Sequence, residues 1–276
     1  LGRIGSDCDS YEQLYQQWLA GRQLNPAQRR QLPRTIQSWP RQPRIKVLVI
    51  DADGREQAVP HTLDSLNQQL YGAQACIVLS NMESDVSLPV THVALESDWP
   101  RQLNQLLKAG HDADWVYLLR AGDRLSESAL LLLAERIAVL PGLMCVYGDE
   151  GAWVDGLACE PVFKPDFNID LMRSYPYVGR ALAFDCNALN ALGGLDPSFG
   201  ELAPHDLLWR MVEAHGPQVI EHIAELQMQS ELSFAQWLSQ EQVIRQSPRI
   251  VSAHLDRMGV AHCMGHDTLP LLNRVE

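Results

Sequence analysis

The sequence predicts an α/β domain in which helices cover both faces of a doubly wound, mostly parallel sheet. Two observations support this fold class. Between residues 45 and 147, short apolar runs alternate with segments of helical spacing, which is the order of strand–helix–strand units in a parallel sheet. The runs are apolar throughout, as expected for strands that are buried on both faces.

The individual elements follow from the periodicity of the apolar residues along the chain. Strands are predicted at 45–50 (IKVLVI), 75–79 (ACIVL), 91–95, 115–119 (WVYLL) and 143–147 (LMCVY). Helical spacing predicts helices over residues 62–70 and 100–109, and a third helix that Ser126 caps and Pro141-Gly142 ends. In the second half, the pattern predicts a helix over 205–214, a strand over 219–223 and a helix over 234–254.

The first 43 residues differ from this pattern and predict a helical segment followed by a linker. Apolar and aromatic residues between positions 11 and 19 have helical spacing, and Gly21 ends that helix. A second short helix and a stretch rich in Pro, Arg and Gln follow. We therefore divide the chain into a helical N-terminal segment with its linker, 1–43, and a main domain, 44–276. The chain begins without Met and ends without a turn or cap, which indicates a fragment of a longer, multidomain protein.

Composition excludes several classes of protein. Apolar residues make up 46% and charged residues 20% of the 276 residues, which is typical of a globular chain. With 22 Lys and Arg against 34 Asp and Glu, the net charge of −12 argues against a nucleic-acid binder. No apolar run is long enough to predict a transmembrane helix. The six cysteines are irregularly spaced and form no CxxC, which favours a reducing, cytoplasmic setting.

Polar residues follow the predicted strands at the edge where doubly wound sheets bind ligands, beyond the carboxyl ends of the strands. The alternative for the acidic residues after the first strand is an ordinary polar turn. Asp123 precedes a predicted helix whose dipole favours a carboxylate, so a structural role competes there with metal binding. The candidates for a nucleotide pocket at this edge are Ile50, Asp51, Asp53, Ser80, Asn81, Arg120 and Asp123.

Further polar candidates lie in the second half of the chain. Asp149 and Glu150 are adjacent carboxylates at the end of a predicted strand, and Lys164 and Asp166 belong to the polar–aromatic loop FKPDFN. Pairing with arginines is the structural alternative for the two aspartates. The chain has no GxGxxG and no GxxxxGK[ST], so dinucleotide and P-loop sites lose support. The motif HCxxH at 262–266 lacks two further ligands for a zinc site.

The order of these segments resembles glycosyltransferase family 2, whose members have the GT-A fold, build bacterial surface polysaccharides and include rhamnosyltransferase-like proteins. The resemblance runs from about residue 11 to near the C-terminus, and the block VYGDE, FKPDFN, GGLD in that order is its most specific part. The remaining matches are YEQ with WL, IKVLVI, TLDSLNQQLYG, RAGDRL, YVGRALAF and HDLLWRMVEAHG.

The resemblance implies a sugar transfer from a nucleotide-sugar donor to a polysaccharide or lipid-linked acceptor. It also implies a cytoplasmic location with peripheral association at the inner face of the membrane, and a second transferase domain in the full-length protein. Asp149, Glu150, Lys164 and Asp166 would then contact the acceptor.

The chain departs from the family at the positions that carry chemistry. Residues 78–81 have no carboxylate where the family places one for the uracil and ribose. Arg120 and Gly122 stand where two aspartates normally hold a divalent cation, which leaves Asp123 as the ligand of a weak Mg²⁺ or Mn²⁺ site. Arg120 is alternatively a direct partner for the donor phosphates, independent of metal.

The general base of the family is an acidic pair that corresponds here to Ala203-Pro204. Asp206 is therefore predicted as the base, with His205 as the alternative, and a helix cap as the structural interpretation of Asp206. A His that often completes the metal shell corresponds to Gln229. Two functions remain open: a transferase, or a degenerate, non-catalytic GT-A domain that binds glycan or scaffolds a second transferase.

Overall fold

The structure, a computed structural model, describes residues 4–52, 54, 57–81, 90–109, 113–266 and 272–276. Its helices are α1 Ile4–Gly21, α2 Pro26–Ser38, α3 Ala58–Asn67, α4 Trp99–Ala109, α5 Ala129–Val139, α6 Ile169–Ser174, α7 Cys186–Ala191, α8 Ala203–His215, α9 Phe234–Leu238 and α10 Glu241–Arg257, with 3₁₀ helices at Pro197–Leu202 and Pro217–Val219. Its strands are β1 Ile45–Ile50, β2 Ala75–Leu79, β3 Val90–Val93, β4 Trp115–Arg120, β5 Asp123–Leu125, β6 Cys145–Val154, β7 Leu157–Val162, β8 Leu182–Asp185, β9 Ile220–Ser230, β10 Met264–His266 and β11 Asn273–Val275.

The central sheet has the strand order β3-β2-β1-β4-β8-β6-β9-β5, and β7 pairs with β6 outside this path. Strands β1 to β4 pair in parallel, β6 pairs in parallel with β9, and β8 lies antiparallel between β4 and β6. The carboxyl ends of β1, β2, β4, β6 and β9 therefore meet at one edge. The predicted mostly parallel α/β sheet is confirmed, with antiparallel insertions that the apolar runs did not indicate.

Helices cover both faces of the sheet, as predicted. In β1, Leu48 and Ile50 face a core that contains Trp209 of α8, while Val47 and Val49 face the core that contains α3 and α5. All six residues of β1 are buried. This burial on both faces explains why the strand is apolar without alternation.

Several boundaries differ from the sequence prediction: α3 is Ala58–Asn67 rather than 62–70, and β9 extends to Ser230 rather than 223. At α5 and β6 a tertiary contact overrides the local pattern. Helix α5 begins at Ala129, and Ser126 does not cap it; instead the Ser126 backbone N–H donates to the carbonyl of Gln227 in β9 (2.9 Å). Strand β6 continues to Val154 because it pairs with β9 and β7. The helix predicted over 234–254 is two helices, and Ser233 caps the first.

The N-terminal residues form two helices, and α1 ends at Gly21 as predicted. Tyr15 of α1 is buried against Ala158 of β7 and Leu226 of β9. The side chain of Asn25 caps α2. The division at residue 43 stays a prediction. Among the described residues, no helix has the length and apolarity needed to cross a bilayer.

Candidate functional site

A small pocket of about 50 Å³ lies at the carboxyl edge of the sheet. Of the predicted nucleotide-binding residues, Ile50, Asp51 and Arg120 line it, whereas Asp53 lies outside the described residues. The full lining is Ile50, Asp51, Ala52, Arg120, Ala121, Arg180, Glu201, Ser230, Leu232, Trp237, Gln240 and Gln242. Sequences far apart in the chain thus converge at the edge that the fold class predicted.

Asp51 ties the loops after β1 and β2 together. Its carboxylate is buried and accepts hydrogen bonds from the Gly54 backbone N–H (3.0 Å) and from Ser80 Oγ (2.7 Å). Its own N–H donates to the carbonyl of Leu79 (2.9 Å). Asn81 is exposed and donates to the carbonyl of Leu95 (3.3 Å). Ser80 therefore positions Asp51 at the pocket wall.

Asp123 lies beneath the pocket with no exposed surface. Its Oδ2 accepts from the Arg120 backbone N–H (2.7 Å), and its Oδ1 accepts from Ser230 Oγ (2.7 Å) and from Arg180 Nη2 (3.1 Å). Arg180 Nη2 also donates to Ser230 Oγ and to the carbonyl of Leu232 (2.9 Å). Because α5 begins only at Ala129, no helix dipole holds Asp123; the buried ion pair with Arg180 does.

Arg120 and Glu201 both line the pocket and form an ion pair there. Arg120 ends β4, Glu201 belongs to the 3₁₀ helix Pro197–Leu202, and Arg120 Nη2 donates to Glu201 Oε2 at 2.8 Å. The guanidinium also lies over the ring of Trp99, 4.6 Å from its centroid. Sites for drug-sized ligands have volumes of roughly 300–1,000 Å³, so the pocket of about 50 Å³ is much smaller than such a site.

The residues around Asp123 do not fit a divalent cation. Both carboxylate oxygens already accept hydrogen bonds, and the Arg180 guanidinium stands 3.1 Å from Oδ1. Burial alone lowers the pKa of Arg180, but Asp123 and Glu150 raise it above its ordinary value, so the guanidinium is charged and repels a metal ion. In the described ranges, no group of three or more His, Cys, Asp and Glu side chains could hold a metal. This geometry argues against the metal site predicted at Asp123.

Asp206 lies away from the pocket, in an ion-pair network between α8 and α10. Its Oδ2 accepts from Arg210 Nε (2.8 Å) and its Oδ1 from Arg257 Nη1 (3.0 Å), and its side chain is 2% exposed. Arg210 also donates to the carbonyls of Leu192 and Gly194. The predicted base is thus held in a structural network, which argues against its taking a proton from an acceptor.

His205, the alternative base, is buried and stacks on Trp237, with ring centroids 5.8 Å apart. Burial lowers the pKa of His205 to about 3, and the charges of Lys164 and Arg120 act in the same direction. The imidazole is therefore neutral and weakly basic at neutral pH. It does not line the pocket, so its position does not favour acid–base chemistry on a bound acceptor.

Three of the four predicted acceptor contacts are buried in the structure, which argues against direct contact with an acceptor. Lys164 Nζ lies 2.7 Å from Glu150 Oε1 and donates to the carbonyl of Val178 (2.9 Å). Gly179, at φ +80°, leaves room for this pair: a Cβ there would clash with Glu150 Oε1 and lie 2.6 Å from Lys164 Nζ. The pair is a buried contact within the protein, which argues against acceptor binding by Glu150 and Lys164.

Asp149 is also buried, in a chain of hydrogen bonds with a histidine. His222 Nε2 lies 2.9 Å from Asp149 Oδ1, and His222 Nδ1 lies 3.2 Å from Asp166 Oδ1. The ring stacks on Tyr147 at 4.8 Å. Burial by itself lowers the pKa of His222, but the two carboxylates raise it overall. Asp166 alone has an exposed side chain (96%) and is the one predicted acceptor residue that solvent reaches.

Sequence reasoning missed Arg180, Glu201 and Ser230 as pocket residues. The only local signal for Arg180 is a basic residue inside the otherwise apolar run YVGRALAF. Glu201 is the nearest carboxylate upstream of Ala203-Pro204, but its 3₁₀ helix was not predicted. Ser230 lies opposite Asp123 because β5 pairs with β9, and its hydroxyl therefore donates to the Asp123 carboxylate. No local pattern in the sequence indicates this pairing.

Comparisons with known proteins agree with the resemblance seen in the sequence. The chain is 27% identical over 262 residues to the O-antigen biosynthesis protein RfbC of Myxococcus xanthus, covering 89% of this chain and 20% of that protein. It is 31% identical over 113 residues to protein y4gI of Sinorhizobium fredii, covering 41% of this chain and 12% of that protein. The chain thus spans a fifth or less of the length of either relative. It matches no protein-family model.

The fold is similar to that of glucosyl-3-phosphoglycerate synthase from Mycobacterium tuberculosis. The complex of that enzyme with Mn²⁺, UDP and glucosyl-3-phosphoglycerate gives a TM-score of 0.54 at 12% identity, covering 92% of this chain and 93% of that chain. Its complex with Mg²⁺ and UDP gives 0.54 at 14% identity, covering 86% and 87%. At such identities the likeness concerns the fold. The predicted GT-A fold and the resemblance to GT-A glycosyltransferases are confirmed.

Proposed function

We propose that this domain binds a nucleotide-sugar donor at the carboxyl edge of its sheet and transfers the sugar to a glycan or lipid-linked acceptor during synthesis of a cell-surface polysaccharide. One observation carries the proposal: two guanidinium groups and two carboxylates converge in the pocket at that edge. The sequence similarity to an O-antigen biosynthesis protein supports the glycan class. The domain would act in the cytoplasm, beside further domains of a longer protein.

The pocket residues suggest which groups bind the nucleotide, which bind the diphosphate and which accepts the proton. Asp51, fixed by Ser80, offers acceptor oxygens for the base or ribose of the nucleotide. Arg120 and Arg180 offer positive charge for the diphosphate, which becomes the leaving group. Once Arg120 turns to the diphosphate, Glu201 is the pocket carboxylate free to take the proton of the acceptor hydroxyl. Glu201 thus replaces Asp206 as the proposed base.

One observation favours a non-catalytic domain as the second candidate. Both pocket carboxylates already have partners, Glu201 in an ion pair and Asp51 in two hydrogen bonds, and the pocket volume is about 50 Å³. A domain that keeps this closed state would bind glycan through another surface or scaffold a neighbouring transferase domain.

The test combines binding with turnover. Thermal-shift titration against a panel of sugar nucleotides, followed by transfer assays with labelled donors, should identify a ligand that stabilises the native state by mass action. Glu201→Gln should retain donor binding and lower turnover by about 10²–10⁴-fold. Glu221→Gln, a partly exposed carboxylate paired with Arg136 outside the pocket, is the matched control.

The outcomes separate the two candidates. Donor binding with no turnover in the wild-type domain favours the non-catalytic candidate. Full turnover in Glu201→Gln removes Glu201 as the base but keeps the transferase. If no sugar nucleotide binds under any condition, the donor-binding function is wrong.

A further inference from the structure

We infer that Arg180 takes the place of a divalent cation in this domain, so that the pocket binds a diphosphate through guanidinium groups and independently of metal. This inference rests on the proposed donor-binding function and specifies its chemistry. It starts from the disagreement between the cation expected at Asp123 and the groups that surround that carboxylate.

The charge of Asp123 is balanced within the protein. A divalent cation held by two carboxylates has no net charge, and neither does one carboxylate paired with one guanidinium. Here Arg120 and Gly122 stand at the two positions where the family resemblance expects aspartates, and Asp123 alone is paired with Arg180 at 3.1 Å. Arg120 is in turn paired with Glu201, so the two ion pairs leave no net charge at the pocket without a metal.

Arg180 has hydrogen-bonding capacity that the protein does not use. The side chain is 3% exposed and lines the pocket, and Nη2 makes all of its protein hydrogen bonds. Nε and Nη1 are buried without a hydrogen-bond partner. Buried charged donors without partners are costly, because they lose their hydration without compensation. Such donors indicate that an anionic ligand completes the site, and phosphate oxygens match the planar fork of arginine.

Access to the pocket depends on the ion pair between Arg120 and Glu201. Arg120 and Glu201 bridge the pocket from β4 and the 3₁₀ helix Pro197–Leu202, with side chains 13% and 9% exposed. When a diphosphate enters, Arg120 exchanges Glu201 for phosphate oxygens, and the pocket opens toward Arg180. The two guanidinium groups then hold the diphosphate from two sides, and Glu201 is released.

The experiment uses inorganic pyrophosphate and Mn²⁺ as separate probes. Calorimetric titration of the whole domain with pyrophosphate in excess EDTA should show binding, and added Mn²⁺ should leave the affinity within about twofold. The electron paramagnetic resonance signal of Mn²⁺ added alone should keep the amplitude of free Mn²⁺. Arg180→Met and Arg120→Met should each weaken pyrophosphate binding about 10- to 100-fold, as expected for the loss of charged hydrogen bonds.

Controls keep the result interpretable. Arg101→Met removes an exposed arginine that pairs only locally with Asp98 and should leave the affinity unchanged. Arg180→Lys keeps a positive charge next to Asp123 but loses the planar fork, so it should fold and still bind pyrophosphate more weakly than the wild type. If Arg180→Met does not fold, the Arg180→Lys variant and the two wild-type titrations, with and without Mn²⁺, test the inference.

Three results would overturn the inference: pyrophosphate binding that requires Mn²⁺, Mn²⁺ binding that Asp123→Asn abolishes, or no pyrophosphate binding in either condition. Other results would refute the proposed function or the inference independently of each other. Sugar nucleotides that bind only with Mn²⁺ would preserve the function and end the inference. Metal-free pyrophosphate binding without any sugar-nucleotide binding would preserve the anion site and end the function.

Discussion

Replacing Asp206 by Asn should destabilise the domain and leave ligand binding unchanged. The carboxylate is buried and accepts one hydrogen bond from Arg210 and one from Arg257. A hydrogen bond to a charged group contributes about 1.5–3 kcal/mol. The two arginine side chains are 18% and 33% exposed and can be rehydrated, and Asn keeps one acceptor oxygen. The stability lost is therefore smaller than the sum of the two hydrogen bonds. We expect the free energy of unfolding to fall by about 2 kcal/mol.

Urea denaturation of wild type and variant measures this loss, and pyrophosphate or donor titration measures binding. Asp170→Asn is the matched control, because Asp170 also lies in the first turn of a helix in an ion pair, but its side chain is 91% exposed. That control should cost less than about 0.5 kcal/mol. An unchanged unfolding free energy for Asp206→Asn, together with a 100-fold or greater loss of turnover (on the order expected for a lost base), would refute the structural role and restore Asp206 as the base.

The remaining predictions concern the buried groups beneath the pocket. Gly179→Ala should lower the free energy of unfolding by about 2–4 kcal/mol, because of backbone strain and the clash with the Glu150–Lys164 pair. The control Gly156→Ala, at φ +82° in open space, should lower it by only about 1–2 kcal/mol. Urea denaturation measures both losses. Glu150→Gln leaves the buried Lys164 without a carboxylate partner and should cost about 3–5 kcal/mol in the same assay. The pKa of about 3 for His205 lies below its ordinary 6.5, so stability is lost as pH falls below 6.5. Between pH 7 and pH 5 the wild type should lose about 2 kcal/mol more than His205→Phe; equal losses would contradict the buried, neutral His205.

The sequence was sufficient for the parallel half of the sheet because burial on both faces leaves a local pattern. Ile45–Ile50 and Ala75–Leu79 have the bounds predicted from their apolar runs. The antiparallel part was not predictable in this way. Strand β6 continues through Gly148-Asp149-Glu150, which has the composition of a turn. Those polar groups are buried only because Lys164 and His222, distant in the chain, neutralise them.

The position of the pocket was predictable, but the partners of its charged residues were not. Of the residues that the carboxyl-edge rule placed in one cleft, Ile50, Asp51 and Arg120 line the pocket, whereas Ser80, Asn81 and Asp123 do not. The same rule did not predict the ion pair of Asp206, because its partner Arg257 lies 51 positions further along the chain. Sequence patterns report which elements form, whereas ion pairs across 50 or more residues depend on how those elements pack.

The buried position of Asp123 connects the missing carboxylates with the arginine that replaces them. A carboxylate with no exposed surface requires a cation, since an unpaired buried charge costs several kcal/mol. A metal would supply that charge only when bound, and the loop between β4 and β5 would then depend on metal for its shape. Arg180 supplies the charge from within the chain, together with Ser230 and the Arg120 backbone N–H. We therefore propose that Arg120, Gly122 and the guanidinium of Arg180 belong to one electrostatic arrangement, in which the protein itself carries the positive charge beside Asp123.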